Sequence, residues 1–260
     1  MSTLRARCPD CHTLTAVALA GGEYECHSCG RKYRAGLVRV PRAWGEGGES
    51  MAEAAFLPLS YPEAGVIEEE TLTEQNLALA CSLPERPVVL GGCCCAHVGA
   101  VEGLATRYER LGVVWFDAHG DLNTPETSPS GNPWGMPLRM LLDAGTVAPE
   151  DTVLVGARNL DPPEKEFIAA TGLRCGETEV DGALAGVNAV YVAFDCDVLD
   201  PEDEIRSHMP EPGGLSIAES STLLTRIAGT KPIAGAGLTG LAADPDNAGP
   251  LGRICGAVGL

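Results

Sequence analysis

Short apolar runs alternate with amphipathic stretches along most of the chain. Pro87-Val88-Val89-Leu90, Val113-Val114-Trp115-Phe116, Thr152-Val153-Leu154-Val155-Gly156 and the stretches 188–194 and 232–238 read as buried strands. Strands covered on both faces are apolar throughout rather than alternating. Between them, Thr71 and Glu74 form a capping-box pattern, and Leu72, Leu77, Leu79 and Ala80 continue it as a helix over 72–82. Further helices are expected from the Gly91-Gly92-Cys93-Cys94-Cys95 turn to about residue 110, over 135–143, from Asp161 onward, and over 216–228, where Ser216 and Glu219 repeat the capping box. Strands and helices in alternation predict an α/β domain with a mostly parallel sheet covered on both faces.

The pattern is different before residue 67. Cys8-Pro9-Asp10-Cys11 and Cys26-His27-Ser28-Cys29 are two CxxC knuckles, a spacing that lets four thiolates close a tetrahedron on Zn²⁺. Gly21-Gly22 between Val17-Ala18-Leu19 and Glu23-Tyr24-Glu25 signals a hairpin. Residues 1–40 therefore read as a zinc ribbon holding one Zn²⁺ on Cys8, Cys11, Cys26 and Cys29, with His12 and His27 as bystanders. So small a module uses zinc as its staple, although docking of a partner is a second reading of its role. Residues 41–66, rich in Gly, Pro and Glu, read as a linker, and 67–260 as the main domain.

Composition narrows the partners. The net charge is −18; residues 1–40 hold six basic side chains against three acids, a net +3, which leaves −21 on the remainder. That balance argues against nucleic acid. There is no apolar run long enough to span a bilayer and no signal-peptide core, so the cytoplasm is the expected compartment. The eleven cysteines then read as thiols and metal ligands rather than disulfides.

The candidate chemistry sits where two apolar runs end. After Phe116, Asp117, His119 and Asp121 are spaced two apart, and extended backbone would turn them to one side. After Phe194, Asp195 and Asp197 repeat the spacing. Ligands bind beyond the carboxyl ends of parallel strands, and oxygen donors with an imidazole suit a first-row divalent ion. A polar loop is the bland alternative for one such stretch. Two side by side would gather too much negative charge to bury unpaired, which favours two cations sharing carboxylates.

The combination Asp-Ala-His-Gly-Asp (117–121), Asn-Thr-Pro (123–125), Ser-Gly-Asn (130–132) and Phe-Asp-Cys-Asp-Val-Leu-Asp-Pro (194–201) resembles the arginase–agmatinase (ureohydrolase) family over residues 85–245. The resemblance implies a three-layer α/β/α arginase-like fold, a binuclear manganese centre, and hydrolysis of a carbon–nitrogen bond in a guanidino or formimino group. Its implied metal ligands are Cys94, Asp117, His119, Asp121, Asp195 and Asp197. Cys94 falls where the family carries the histidine of Gly-Gly-Asp-His, some members reading Gly-Gly-Asp-Cys, and His97 one turn on is the rival. Cys93 and Cys95 read as small buried residues. A thiolate ligand draws the site towards zinc or another later metal.

By the same resemblance, Asn123, Ser128 and Ser130 match positions that hold an amino acid's α-carboxylate in arginases, although such residues also shape loops. Asp161 matches an aspartate near the α-amino group, or is simply a helix cap. Trp134 stands where arginases have a histidine thought to shuttle protons, a role tryptophan cannot take. Two further departures concern specificity. The loop after Asp200-Pro201 reads Glu204-Ile205-Arg206-Ser207-His208-Met209, which puts Arg206 and His208 on the expected rim of the substrate site. The glutamate that the family's last strand delivers to a guanidinium is replaced by Gly240.

The expected activity is hydrolysis of a guanidino- or amidine-type, amino-acid-like small molecule by water activated between two ions. His119 and Asp121 act at the reacting group, Asp121 as the proton carrier to the leaving amine. A homo-oligomer is expected. The alternatives are a hydrolase of a formimino or amide group, and an inactive metal-stabilised scaffold whose ribbon docks a partner.

Overall fold

Strand β4 (Leu37–Val40) lies between β5 (Glu63–Val66) and β6 (Val88–Gly91), and five further strands extend the sheet from β6. These are β7 (Leu111–Phe116), β8 (Thr152–Val155), β9 (Arg174–Cys175), β10 (Ala189–Asp195) and β11 (Ile233–Thr239). The order is β5-β4-β6-β11-β10-β7-β8-β9, and every pairing in it is parallel. This is a computed structural model that describes residues 8, 10, 11, 13, 15–19, 23–34 and 36–260. Among the described residues eight α-helices accompany the strands: α1 (Glu49–Ala52), α2 (Leu72–Ser82), α3 (Ala96–Ala105), α4 (Pro137–Asp143), α5 (Pro162–Thr171), α6 (Val180–Leu184), α7 (Ile217–Thr230) and α8 (Ala248–Ala257).

The central strands feed two cores by alternation. In β7, Val113 and Trp115 join a cluster with Leu79, Leu104 and Leu138 from α2, α3 and α4. Val114 and Phe116 turn to the other face, with Val180, Leu224 and Ile254 from α6, α7 and α8. Tyr191 and Ala193 against Val192 and Phe194 divide β10 in the same way. Successive side chains leave a strand on opposite faces, so a strand apolar at every position is buried twice. The result is three layers, as expected.

Local signals placed the helices well. Thr71 Oγ1 accepts from the Glu74 amide at 3.2 Å and Glu74 Oε2 accepts from the Thr71 amide at 3.1 Å, which completes the first capping box. Ser216 and Glu219 do the same at 3.1 and 2.9 Å. Helix α3 stops at Ala105 rather than near residue 110, because β7 already begins at Leu111. Helix α4 starts at Pro137 rather than 135: a proline has no N–H to give and suits the first helical turn.

The largest difference lies in 37–66, expected as ribbon end and linker. Leu37–Val40 and Glu63–Val66 are strands of the main sheet, and α1 lies between them. Arg39 concealed this. It is buried on β4, ion-pairs Glu63 of β5 at 2.6 Å, and donates to the carbonyls of Ala55 at 2.6 Å and Leu57 at 3.0 Å. A buried cation is tolerated only with such partners, and these come from distant residues that no local pattern reveals.

Before the sheet, β1 (Ala16–Ala18), β2 (Glu23–Cys26) and β3 (Lys32–Arg34) form an antiparallel three-stranded unit. The sulfurs of Cys8 and Cys29 lie 3.5 Å apart, as do those of Cys11 and Cys26, and all four lie within 4.8 Å of one another. A zinc tetrahedron with Zn–S of about 2.3 Å sets sulfurs about 3.8 Å apart, whereas a disulfide would need about 2.05 Å. The cluster is thus consistent with a zinc ribbon. The expected Gly21-Gly22 turn and His12 lie outside the described residues, and His27 is exposed. Cys8, Ala16, Tyr24 and Cys26 belong to the same apolar cluster as Val101 and Leu104 of α3, so this three-stranded unit shares a core with the main sheet's helices. Among the described residues no helix is long and apolar enough to cross a membrane.

Candidate active site

The site lies beyond the carboxyl ends of β6, β7, β10 and β11, four of the central strands. Strand β7 ends at Phe116, so Asp117, His119 and Asp121 stand on a turning loop rather than on extended backbone. Their convergence does not come from strand alternation. Asp121 takes a left-handed φ of +52°, the one non-glycine residue with positive φ among those described. That conformation costs a residue with a side chain on the order of 1 kcal/mol or more, and persists where surrounding structure enforces it.

Two groups of donor atoms result. Cys94, Asp117 and Asp121 form one, and Asp117, His119 and Asp197 the other; within each, the atoms lie inside 4.8 Å of one another. Ligands about 2.1 Å from one octahedral ion stand about 3–4.2 Å apart, so each group fits a cation. Asp117 is common to both. Asp195 lies against the first group, with the Cys94 thiol donating to its Oδ2 at 2.8 Å and the Thr239 hydroxyl at 3.0 Å. All six residues expected as metal ligands are therefore brought together. His97 is not among them: its Nδ1 meets the Tyr191 hydroxyl at 3.0 Å and its Nε2 the Thr239 hydroxyl at 3.1 Å. Burial lowers its pKa to about 3, so it stays neutral behind Thr239.

The carboxylates are held from outside the cluster. Trp115 Nε1 donates to Asp117 Oδ2 at 3.1 Å, the Ala118 amide to Asp197 Oδ1 at 3.0 Å, and the Asp197 amide to Asp195 Oδ1 at 3.0 Å. Asp121 Oδ2 is buried without any hydrogen-bond partner. An orphaned buried carboxylate oxygen beside three other buried carboxylates is what a cation would satisfy.

Without a cation, protons take its place. Burial, then the charge of Asp197, pushes Asp195 up to about 7, and burial with the charge of Asp117 pushes Asp197 up to about 6. Burial and the neighbouring aspartates hold Asp121 and the Cys94 thiol well above their ordinary values. His119 moves the other way from its burial, because Asp117 and Asp197 raise it to about 12. The unfolded chain releases the aspartate protons near 3.8, so the metal-free folded state binds more protons from there up to about pH 7. Stability must then fall as pH rises through that window. Metal affinity must climb across it, as ligands lose the competing protons. Melting with a chelator should give a lower Tm at pH 8 than at pH 5, and saturating Mn²⁺ should remove the deficit. A chelated protein equally stable at both values would refute this account.

The cluster forms the floor of a cavity of about 180 Å³. Asn123, Ser128, Ser130 and Asp161 line it, as does Trp134. The Asn123 amide donates to Asp161 Oδ2 at 2.9 Å and its carbonyl oxygen accepts from the Thr127 hydroxyl at 2.9 Å. Ser128 and Ser130 accept from the amides of Gly131 at 3.0 Å and Asn132 at 3.2 Å. Asp161 also begins α5, its amide donating to Glu164 Oε2 at 2.9 Å, so the cap and cavity roles coexist.

Arg206 and His208 do not line the cavity. Arg206 is exposed and reaches the Asp203 carbonyl, and the His208 amide donates to the Gly240 carbonyl at 2.7 Å. Their loop is anchored by that bond and by Asn247, which leaves Met209 to reach the cavity. Residues 41–66 contribute a wall that linker composition gave no sign of. Met51 lines the cavity, Gly45 packs so closely on the Trp134 ring that a Cβ would overlap it, and the Glu46 amide donates to Asn132 Oδ1 at 2.9 Å. Glu164, Asn159 and Met209 are further lining residues that single-sequence reading missed.

The comparisons agree with this architecture. A sequence model of the Arginase family matches residues 62–251. Arginase from Bacillus subtilis (strain 168) is 40% identical over 159 residues, 52% of this chain and 54% of that protein. Arginase from Staphylococcus aureus (strain COL) is 38% identical over 159 residues, 52% of this chain and 53% of that protein. The chain thus spans about half the length of the curated relatives it matches. Among solved structures, arginase from Bacillus cereus aligns with a TM-score of 0.73 at 27% identity, covering 86% of this chain and 97% of that one. Formimidoylglutamase from Bacillus subtilis shares the fold with a TM-score of 0.65 at 17% identity, covering 86% and 87%. With the family's sequence pattern running through most of the chain, and the fold and the clustered acids in keeping with it, the protein belongs to the arginase family.

Proposed function

We propose that the chain is a binuclear metal-dependent hydrolase that cleaves a carbon–nitrogen bond of a small, carboxylate-bearing amidine- or guanidine-type molecule. The observation that carries this reading is the pair of three-donor groups sharing Asp117 at the floor of a cavity, with the Asp121 Oδ2 orphan among them. Two divalent ions held there would supply water of lowered pKa near neutrality. Oxygen donors favour manganese, and the Cys94 sulfur biases its group towards zinc. Asp121 accepts the proton of the attacking water and delivers it to the leaving amine, while His119 holds its ring between Asp117 and Asp197. Residues 1–36 serve as a zinc-stapled structural module.

The substrate end of this reading is supported by what lines the cavity. Ser128, Ser130 and Asn123 offer neutral donors for a carboxylate, and no lysine or arginine among the lining residues competes for that part. Gly240 leaves no acid where the family resemblance expects a guanidinium partner, and both oxygens of Glu164 are already taken by the amides of Leu122 and Asp161. Losing the charged partner of a buried cation costs about 3–5 kcal/mol, or roughly two to four powers of ten in affinity. Arginine and agmatine should therefore be poor substrates. A carboxylate-bearing compound with a less basic group, such as an N-hydroxylated guanidine or a formimino group, should be better.

Metal analysis of the purified chain should find one zinc and two further divalent ions. Assays of urea and ammonia release on arginine, agmatine, guanidinobutyrate, hydroxyarginine and formiminoglutamate with added Mn²⁺ should rank arginine low. Efficient arginine turnover would sink the substrate reading, and two bound ions with no turnover of any compound would favour the inactive scaffold.

A further inference from the structure

His119 has two ring nitrogens, and only Nδ1 faces the cluster, 3.0 Å from Asp197 Oδ2 and 3.4 Å from Asp117 Oδ1. On the far side Nε2 lies 3.6 Å from Glu211 Oε1, an ion-pair distance rather than a hydrogen bond. Glu211 sits in the loop after Asp200-Pro201, far from His119 in sequence, and nothing in its local pattern sets it apart.

Glu211 is held at both its side chain and its main chain. Asn159 Nδ2 donates to Glu211 Oε1 at 2.8 Å, fixing the carboxylate. Arg158 fixes the main chain, donating from Nη2 to the Glu211 carbonyl at 2.7 Å and from Nε to the Pro212 carbonyl at 3.0 Å. The same guanidinium donates to the Asp197 carbonyl at 2.7 Å and to that of Val198 at 3.2 Å. The amides of Arg158 and Asn159 both donate to the Ala118 carbonyl at 2.9 Å, between Asp117 and His119. Two consecutive residues thus tie the loop bearing His119, the turn bearing Asp197 and the Glu211 loop into one unit.

We infer that Glu211 is a positioning residue: its carboxylate, at ion-pair distance from Nε2, holds the ring proton on that side by its charge and so turns Nδ1, as a lone pair, towards the ion that Asp117, His119 and Asp197 would hold. A metal-ligating histidine commonly gives its other N–H to a carboxylate, which fixes tautomer and ring orientation. Glu211 is partly exposed, with 29% of its side chain accessible, so its substitution does not open the core. The inference rests on the binuclear reading and adds to it which residue outside the ligands determines occupancy of the second ion.

The test titrates Mn²⁺ into the full-length protein, stripped of its core ions, for wild type, Glu211→Ala and Glu211→Gln, with Tm and ribbon zinc measured on each. Wild type should bind two core ions. Glu211→Ala should weaken one of them about 10- to 100-fold, the effect typical of such outer partners. It should leave the other ion, the Tm of the metal-free protein and the zinc unchanged. Glu211→Gln retains an acceptor oxygen and should fall between. Two ions bound by Glu211→Ala with wild-type affinity would overturn the positioning role alone. A wild type that takes up no core ion would overturn the binuclear reading and this inference with it.

Discussion

Asp117→Ala will release both core ions, whereas Cys94→Ala will release one. Asp117 is the only residue common to the two donor groups, so its removal opens both, while Cys94 belongs to the group with Asp121 alone. Turnover in Asp117→Ala should fall about a thousandfold or more, well past the 10–100-fold typical of residues outside the ligand set. Cys94→Ala should also lose most activity, because one ion cannot replace a pair. Cys93→Ala and Cys95→Ala should keep both ions: Cys95 packs with Met51, and Cys93 lines the cavity wall without joining either group. Metal content by elemental analysis, beside the Tm of each variant, separates these outcomes. Two core ions retained in Asp117→Ala would show that the shared-carboxylate arrangement is not what holds them. Full occupancy in Cys94→Ala would return the ligand role to His97, against its bonds to Tyr191 and Thr239.

Gly240→Ala will disable the site as thoroughly, and Gly240→Glu will not restore a guanidinium partner. Gly240 has φ +69°, a conformation disfavoured by roughly 1–2 kcal/mol for a residue with a side chain. A Cβ there would overlap the Asp195 carboxylate. Asp195 cannot retreat cheaply, since its Oδ1 accepts from the Asp197 amide and its Oδ2 from Cys94 and Thr239. The substitution therefore acts on Asp195 and through it on Cys94 and Asp197. Loss of at least one core ion and of most turnover is expected, with the ribbon zinc intact. A Gly240→Glu protein that keeps both ions and gains arginine hydrolysis would show instead that the backbone here yields, and that the missing acid is a simple substitution within an arginase site.

These two residues also mark the border between local and tertiary information. The residues of the cluster were legible because each follows a strand the sequence announces, and parallel strands deliver their ligands at one edge. Buried strands such as β7 and β10 announce themselves by unbroken apolarity, and α2 and α7 by capping boxes, because those signals are contained within a few consecutive residues. Strand alternation nonetheless does not account for their convergence. The strand ends at Phe116, and the turn with Asp121 at φ +52° does the gathering.

What the chain determined by itself was thus the family and the candidate ligands: four cysteines at knuckle spacing, carboxylates at strand ends, and the combination of motifs that carries the resemblance. What only the tertiary structure decided was every feature that depends on register between distant segments. The Arg39–Glu63 pair inside the sheet, the wall built from residues 44–51, the exclusion of Arg206 and His208 from the cavity, and the approach of Glu211 to His119 all join residues far apart in sequence. Such contacts carry no local periodicity. Their partners are selected by the order β6-β11-β10-β7 and by the direction each loop leaves its strand, and neither exists until the sheet has formed.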